Sequence, residues 1–207
     1  MGVIIMKKLI SVITACIICA LTFTACNTPP EAVDDFSGVE FVRWGIVDRW
    51  VYDSLAELEK ASTVVVVGTF LEDAVQNEQY HYSDFFGKDI LSGIRSDNTI
   101  EVGKVLKGDV EVGDKLTVVQ SYGVVDGRLI SLSDLTPMVK GDTWLFFLEK
   151  SRSSDIFWCV GDSDGRYPVP NSKNRTLAIS DYSELGVYDE QNFKSGIYSE
   201  ILEKYDI

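Results

Sequence analysis

Few side chains in the 207-residue sequence have the type and spacing that chemistry needs. His81 is the only histidine, and it stands in the aromatic stretch Tyr80-His81-Tyr82-Ser83-Asp84-Phe85-Phe86-Gly87. A hydrolytic triad or a catalytic zinc site needs a partnered histidine, and the sequence contains neither G-x-S-x-G nor H-E-x-x-H. It also lacks G-x-x-x-x-G-K-[ST] and G-x-G-x-x-G, the glycine-rich turns that cradle nucleotide phosphates. Asp162-Ser163-Asp164-Gly165 has the opening of a calcium loop, because hard cations take carboxylate oxygens. It lacks the third acidic position and the distal glutamate. Asp and Gly are also what a tight turn requires, so a β-turn is the favoured reading and Asp162 and Asp164 are weak metal candidates. No metal, cofactor or catalytic residue is expected.

The thiols divide by position. Cys16 and Cys19 form a C-x-x-C pair, but both lie in the apolar run Leu9 to Phe23, which follows Lys7 and Lys8 and precedes the small residues Thr24 and Ala25. That order, positive then apolar then small, is a secretory signal, so the pair leaves with it and is neither a redox nor a zinc motif. Met6 is the more natural initiator, since it sets the lysines directly behind it. Cys159, within Phe157-Trp158-Cys159-Val160, reads as a small buried residue of a strand. A disulfide within the mature chain is not expected, because only Cys26 and Cys159 remain in it.

The ending Phe23-Thr24-Ala25-Cys26 resembles the lipobox of a bacterial lipoprotein signal, with Phe23 in place of the usual leucine. The resemblance implies cleavage between Ala25 and Cys26 and acylation of Cys26, which fixes residues 1–25 as signal and 26–35 as a polar tether containing Pro29 and Pro30. Two acyl chains on one residue anchor stably where a single chain does not. A retained transmembrane helix fits less well, since the run is short, holds Ser11, Thr14 and Thr22, and ends without a positive stop-transfer cluster. Secretion after a cut near Ala25, without acylation, is the remaining alternative.

Composition narrows the partners. Asp plus Glu number 32 against 19 for Lys plus Arg, a net charge of −13, and no acid precedes Cys26, so loss of Lys7 and Lys8 takes it to −15. Nucleic-acid binding needs clustered positive charge and is excluded on this balance. A mean hydropathy of +0.05 excludes a polytopic membrane protein. An acidic body on a lipid anchor is held off an anionic membrane surface rather than laid flat on it.

The elements that would carry any site are mainly β. Tyr52 to Ala61 is a short helix, with Ser54 and Glu57 at capping-box spacing. Strands are expected at Thr63–Phe70, Asn98–Leu106, Lys115–Tyr122, Thr143–Glu149 and Ile156–Gly161, with a hairpin at Val124–Ile130 turning on Asp126-Gly127 and an extended piece at Arg166–Val169. Leu71 to Asp97 is a long interval holding the aromatic stretch. Phe36 to Tyr52 has an ambiguous period and is left unassigned. Asp189 to Tyr205 carries Phe193, Ile197, Ile201 and Tyr205 at four-residue steps, the stripe of a C-terminal helix. A single domain over 36–207 follows: a small antiparallel barrel of five to six strands, with a short N-terminal helix and a C-terminal helix.

The order of A-S-T-V-V-V-V-G-T, T-I-E-V-G-K-V-L-K-G, G-D-K-L-T-V and G-D-T-W-L-F-F-L between Ser54 and Gly161 resembles the OB-like barrel of the netrin-like and TIMP-like superfamily and of uncharacterised bacterial lipoproteins. The resemblance implies a fold and no catalytic motif. Inhibitors of that superfamily reach a protease zinc through a free N-terminal cysteine, which acylation of Cys26 would block, so that activity is not implied here. The expectation is a non-enzymatic binding or interaction module on the outer face of the bacterial cell membrane, held by its lipid, with Tyr80, His81, Tyr82, Phe85 and Phe86 as the binding loop for a protein, peptide or glycan. Aromatic side chains give contact area at low entropic cost. The bland alternative for this loop is a lid packed over an open barrel end. An accessory envelope lipoprotein beside a transporter or sensor is the alternative function, and a hydrolase using scattered carboxylates the weakest.

Overall fold

A computed structural model describes residues 39–43, 52–72, 74–131, 137–170, 172 and 195–207. The expectations for the signal at 1–25, for Cys26 and the tether, and for residues 189–194 fall outside the described residues. In chain order the elements are β1 (Glu40–Arg43), α1 (Leu55–Ala61), β2 (Val64–Phe70), β3 (Val75–Ser83), β4 (Lys88–Lys107), β5 (Lys115–Gln120), β6 (Tyr122–Val125), β7 (Arg128–Ser131), β8 (Thr143–Lys150), β9 (Phe157–Cys159), a 3-10 turn (Asp162–Gly165), β10 (Arg166–Pro168) and α2 (Ser195–Tyr205).

The β-branched run Val64-Val65-Val66-Val67 becomes a central strand because both its edges are paired and both its faces are covered. β2 lies between β4 and β8, β4 continues to β5, β5 pairs in parallel with β9, and β9 returns to β8. These five strands close a barrel, and its single parallel contact marks the Greek-key crossover of an OB-like fold. β8 shows why the sequence there does not alternate. Trp144, Phe146 and Leu148 face the barrel interior with Val66, Ile100 and Val118, while Leu145 and Phe147 face outward onto an equally apolar layer. Cys159 is buried in the inner core, as its apolar neighbours implied.

The outer layer is where the helices sit. Leu55 and Leu58 of α1 and Ile201 of α2 are buried against Val65, Leu145, Phe147 and Tyr167. Ser54 caps α1 by accepting from the Glu57 backbone N–H at 3.3 Å, the first half of a capping box, while the Glu57 carboxylate reaches one residue past the N-cap to the Asp53 N–H at 3.3 Å. The stripe on α2 packs inward as its spacing predicts, and Tyr198 stacks on Tyr167 with ring centroids 6.2 Å apart.

Glu59 of α1 clamps the two helices together. Its carboxylate accepts from Lys204 Nζ at 2.6 Å and from the Tyr205 hydroxyl. Burial alone would raise its pKa, but the hydrogen bonds from Lys204 and Tyr205 and the charges of Lys204 and Lys107 outweigh it and hold the carboxyl below the ordinary glutamate value. A depressed pKa means the unfolded chain binds the proton more readily. The stabilisation is therefore complete above the ordinary glutamate value, about 4.3, and is lost as pH falls through the lower folded value. Urea midpoints measured down through that range should fall more steeply for the parent than for Glu59→Gln, and parallel curves would refute the clamp.

The structure corrects two expectations. The interval from Leu71 to Asp97 is not a loop: β3 pairs with the first half of β4 from Val75↔Asp97 to Ser83↔Lys88, and the expected strand at 98–106 is only the second half of a 20-residue strand. Part of the unassigned segment is also a strand, since β1 pairs in parallel with β7 through Glu40↔Arg128 and Arg43↔Ser131. The hairpin of β6 and β7 turns at Asp126 and Gly127, whose φ values of 52° and 72° suit the two-residue turn that an Asp-Gly pair favours.

Candidate functional site

Because β4, at 20 residues, far outruns its barrel neighbours β2 and β5 at 7 and 6, its first half leaves the barrel with β3 as a two-stranded arm. β5 pairs with β4 only from Ser96 to Glu101, so among the described residues nothing but β3 pairs with Lys88 to Arg95. A free two-stranded hairpin is marginal in water, and here the base is buttressed. Gln76 donates to the Val124 carbonyl at 2.9 Å and accepts from the Val124 N–H at 2.5 Å, while the Ser96 hydroxyl donates to the Tyr122 carbonyl at 2.8 Å. Gln76 also donates to Glu78 at 2.6 Å, and Glu78 accepts from the Tyr80 hydroxyl at 2.5 Å, so one line of side chains runs from β6 up the arm. The hydrogen bond to Glu78, loss of hydration and the charges of Glu78 and Asp126 hold the Tyr80 hydroxyl above the ordinary tyrosine range.

At the apex Ser83-Asp84-Phe85-Phe86-Gly87 closes with the Gly87 N–H on the Ser83 carbonyl at 2.8 Å, Gly87 taking φ 62°. Phe85 is 90 % exposed, Phe86 62 %, Tyr82 61 % and Tyr80 52 %. The two phenylalanine rings meet edge to face with centroids 4.9 Å apart. These side chains are not a lid over the barrel, because the arm carries them away from it into solvent. Tyr80 and Tyr82 share one face of β3, and His81 lies on the other, opposite Ile90 and exposed. The structure thus brings the five candidate residues onto one arm.

The acidic candidates sit elsewhere. Asp162 opens the 3-10 turn with φ 60° and is partly exposed; the side chain of Asp164 falls outside the described residues. The segment is a turn, of 3-10 type. Among the described residues no three of His, Cys, Asp and Glu gather as metal ligands.

A buried polar group at one end of the barrel was not foreseen. Arg166 is 6 % exposed; it donates to Gln120 Oε1 at 3.3 Å, and its guanidinium lies 4.4 Å from the Trp144 ring centroid. Asn98 donates to the Ser96 and Val118 carbonyls and accepts from the Tyr122 hydroxyl at 3.0 Å. Gln120 Nε2 and Trp144 Nε1 are buried donors with no acceptor among the described residues, the kind of group that an ordered water satisfies in folded proteins. The sequence did hold a clue: Asn98 and Gln120 occupy inward positions of otherwise apolar strands, in register with Ile100 and with Val118.

No protein-family model matches the chain, and no curated protein matches it. Among the described residues no helix is long and apolar enough to cross a membrane. The geometry offers a surface for contact in the arm and a structural polar group in the barrel.

Proposed function

We propose that this chain is a lipid-anchored lipoprotein on the outer face of the bacterial cell membrane and acts there as a non-enzymatic binding module, with the β3–β4 arm as its contact element. The observation that carries this reading is the exposure of four large aromatic side chains on an arm that leaves the barrel. Exposed apolar clusters of this kind mark interaction sites, because water gains when they are covered. Anchoring is supported by the order Lys7-Lys8, Leu9 to Phe23 and Thr24-Ala25-Cys26.

The two halves are tested apart. Cells fed an alkyne fatty acid should label the protein, and Cys26→Ala should abolish the label; an unlabelled parent would sink the anchoring half. Replacing Tyr80, Tyr82, Phe85 and Phe86 together by Ser should lower retention of the solubilised protein on isolated envelopes at least tenfold with its melting temperature unchanged. Unchanged retention would remove the arm as the contact element, and a collapsed melting temperature would show that these residues hold the fold instead.

A further inference from the structure

The direction in which the chain enters the fold bears on what the arm meets. β5 runs along β4 toward the arm and ends with Gln120 beside Ser96. β6 continues the same way. Tyr122 bonds to Ser96, Gly123 lies against Ile94 one step farther out, and Asp126 in the following turn is close enough to act on the Tyr80 hydroxyl. The β6–β7 hairpin therefore lies across the base of the arm, with Val124 bonded to Gln76 and the turn on the arm's side of the barrel. β7 returns toward the barrel, and β1 is parallel to it with Glu40 beside Arg128, directly after that turn. β1 thus begins at the turn end of the β6–β7 hairpin, on the arm's side of the barrel.

We propose that the arm tip inserts Phe85 and Phe86 into the headgroup region of the bilayer that carries the lipid anchor, and that the binding module is thereby oriented on its own membrane. This rests on the anchored reading above. Twelve residues, Asn27 to Gly38, separate the acylated Cys26 from the described fold, and the span from Cys26 to Val39 reaches about 45 Å when extended. The tip stands roughly 10–15 Å beyond Tyr80, three strand steps and a turn at about 3.3 Å per residue, so the tether has slack to bring it to the surface. The side chains are graded as an interface requires: Phe at the apex, and Tyr82 then Tyr80 behind it, where amphipathic rings sit at headgroup level. Asp84 and Lys88 balance at the apex, and Asp89 opposite Tyr82 leaves the tip with a single negative charge. The strongly acidic body is held away from an anionic surface while an aromatic tip of small net charge touches it.

The lipidated full-length protein, reconstituted in phosphatidylcholine vesicles with brominated acyl chains, tests this. Phe85→Trp should add fluorescence that the brominated chains quench at least twofold relative to plain vesicles. Val112→Trp serves as the control, because Val112 is 67 % exposed and lies in the turn at the opposite end of β4; it should add fluorescence that is not quenched. Both substitutions replace exposed side chains, and an unchanged melting temperature confirms that they fold. Quenching no greater at position 85 than at position 112, with Cys26 still carrying fatty acid, overturns tip insertion and leaves the anchored module standing. Cross-linking of the unquenched tip to an envelope protein or glycan assigns the arm to that partner and overturns it likewise. Absence of fatty acid at Cys26 overturns the anchored reading and this inference together.

Discussion

Phe147→Ala should destabilise the protein by about 3–5 kcal/mol, the range for truncating a fully buried phenylalanine. Phe147 is 0 % exposed on the outward face of β8, where it meets Tyr167 edge to face with centroids 5.9 Å apart and Tyr205 of α2 at 6.3 Å. It therefore touches the barrel wall, the strand that follows the 3-10 turn and the C-terminal helix at once. The cavity left by Ala loosens all three, and the melting temperature should fall by roughly 10 °C or more. A second readout separates this residue from its neighbour. Phe146 is equally buried but faces the barrel interior, so Phe146→Ala should cost a similar amount without selectively exposing α2. Amide exchange in α2 should accelerate in Phe147→Ala well before the barrel strands exchange. If α2 exchanges no faster than the barrel does, Phe147 does not dock the helix.

That a single strand serves two cores also explains what the sequence could convey. Thr143 to Lys150 announces burial plainly, but its lack of alternation conceals that it has two apolar faces; only the helices at either end of the chain hint at a second layer. The barrel strands are legible because each is β-branched or apolar and is bounded by turn residues such as Gly108-Asp109 or Gly141-Asp142. The arm is not. Val75-Gln76-Asn77-Glu78-Gln79-Tyr80-His81-Tyr82-Ser83 has water on most of both faces, so no face selects apolar residues and the period-2 pattern that identifies a strand never develops. Its aromatic residues were visible as chemistry while the element that presents them was not. β1 escaped for a related reason: four residues paired in parallel with a short strand leave too few positions for any period to show. The buried Arg166 illustrates the opposite case. A charged residue is normally exposed, and only the register that sets Arg166 against Phe146 and faces Gln120 turns it inward.

Gly108→Ala should be among the most damaging substitutions of a single small residue, at about 2–6 kcal/mol. Two costs combine there. Gly108 takes φ +104°, where an L side chain strains the backbone by roughly 1–3 kcal/mol. A Cβ at this position would also lie 2.7 Å from the Thr63 carbonyl oxygen and 2.8 Å from Val64 Cγ2, contacts with the first residues of β2 that the backbone itself must yield to relieve. Forcing such a gap open costs a further 1–3 kcal/mol or so. Gly113, in the same turn, separates the two effects: it takes φ +92° but has nothing within 4 Å of the position its Cβ would occupy. Gly113→Ala should therefore show the backbone strain alone, and the difference in urea midpoint between the two variants, at constant slope, reports the close approach of the β4–β5 turn to the start of β2. Equal losses at the two glycines would mean that the turn stands off from β2 and that the barrel seam at Val64 and Val65 is closed by the strand ladder alone.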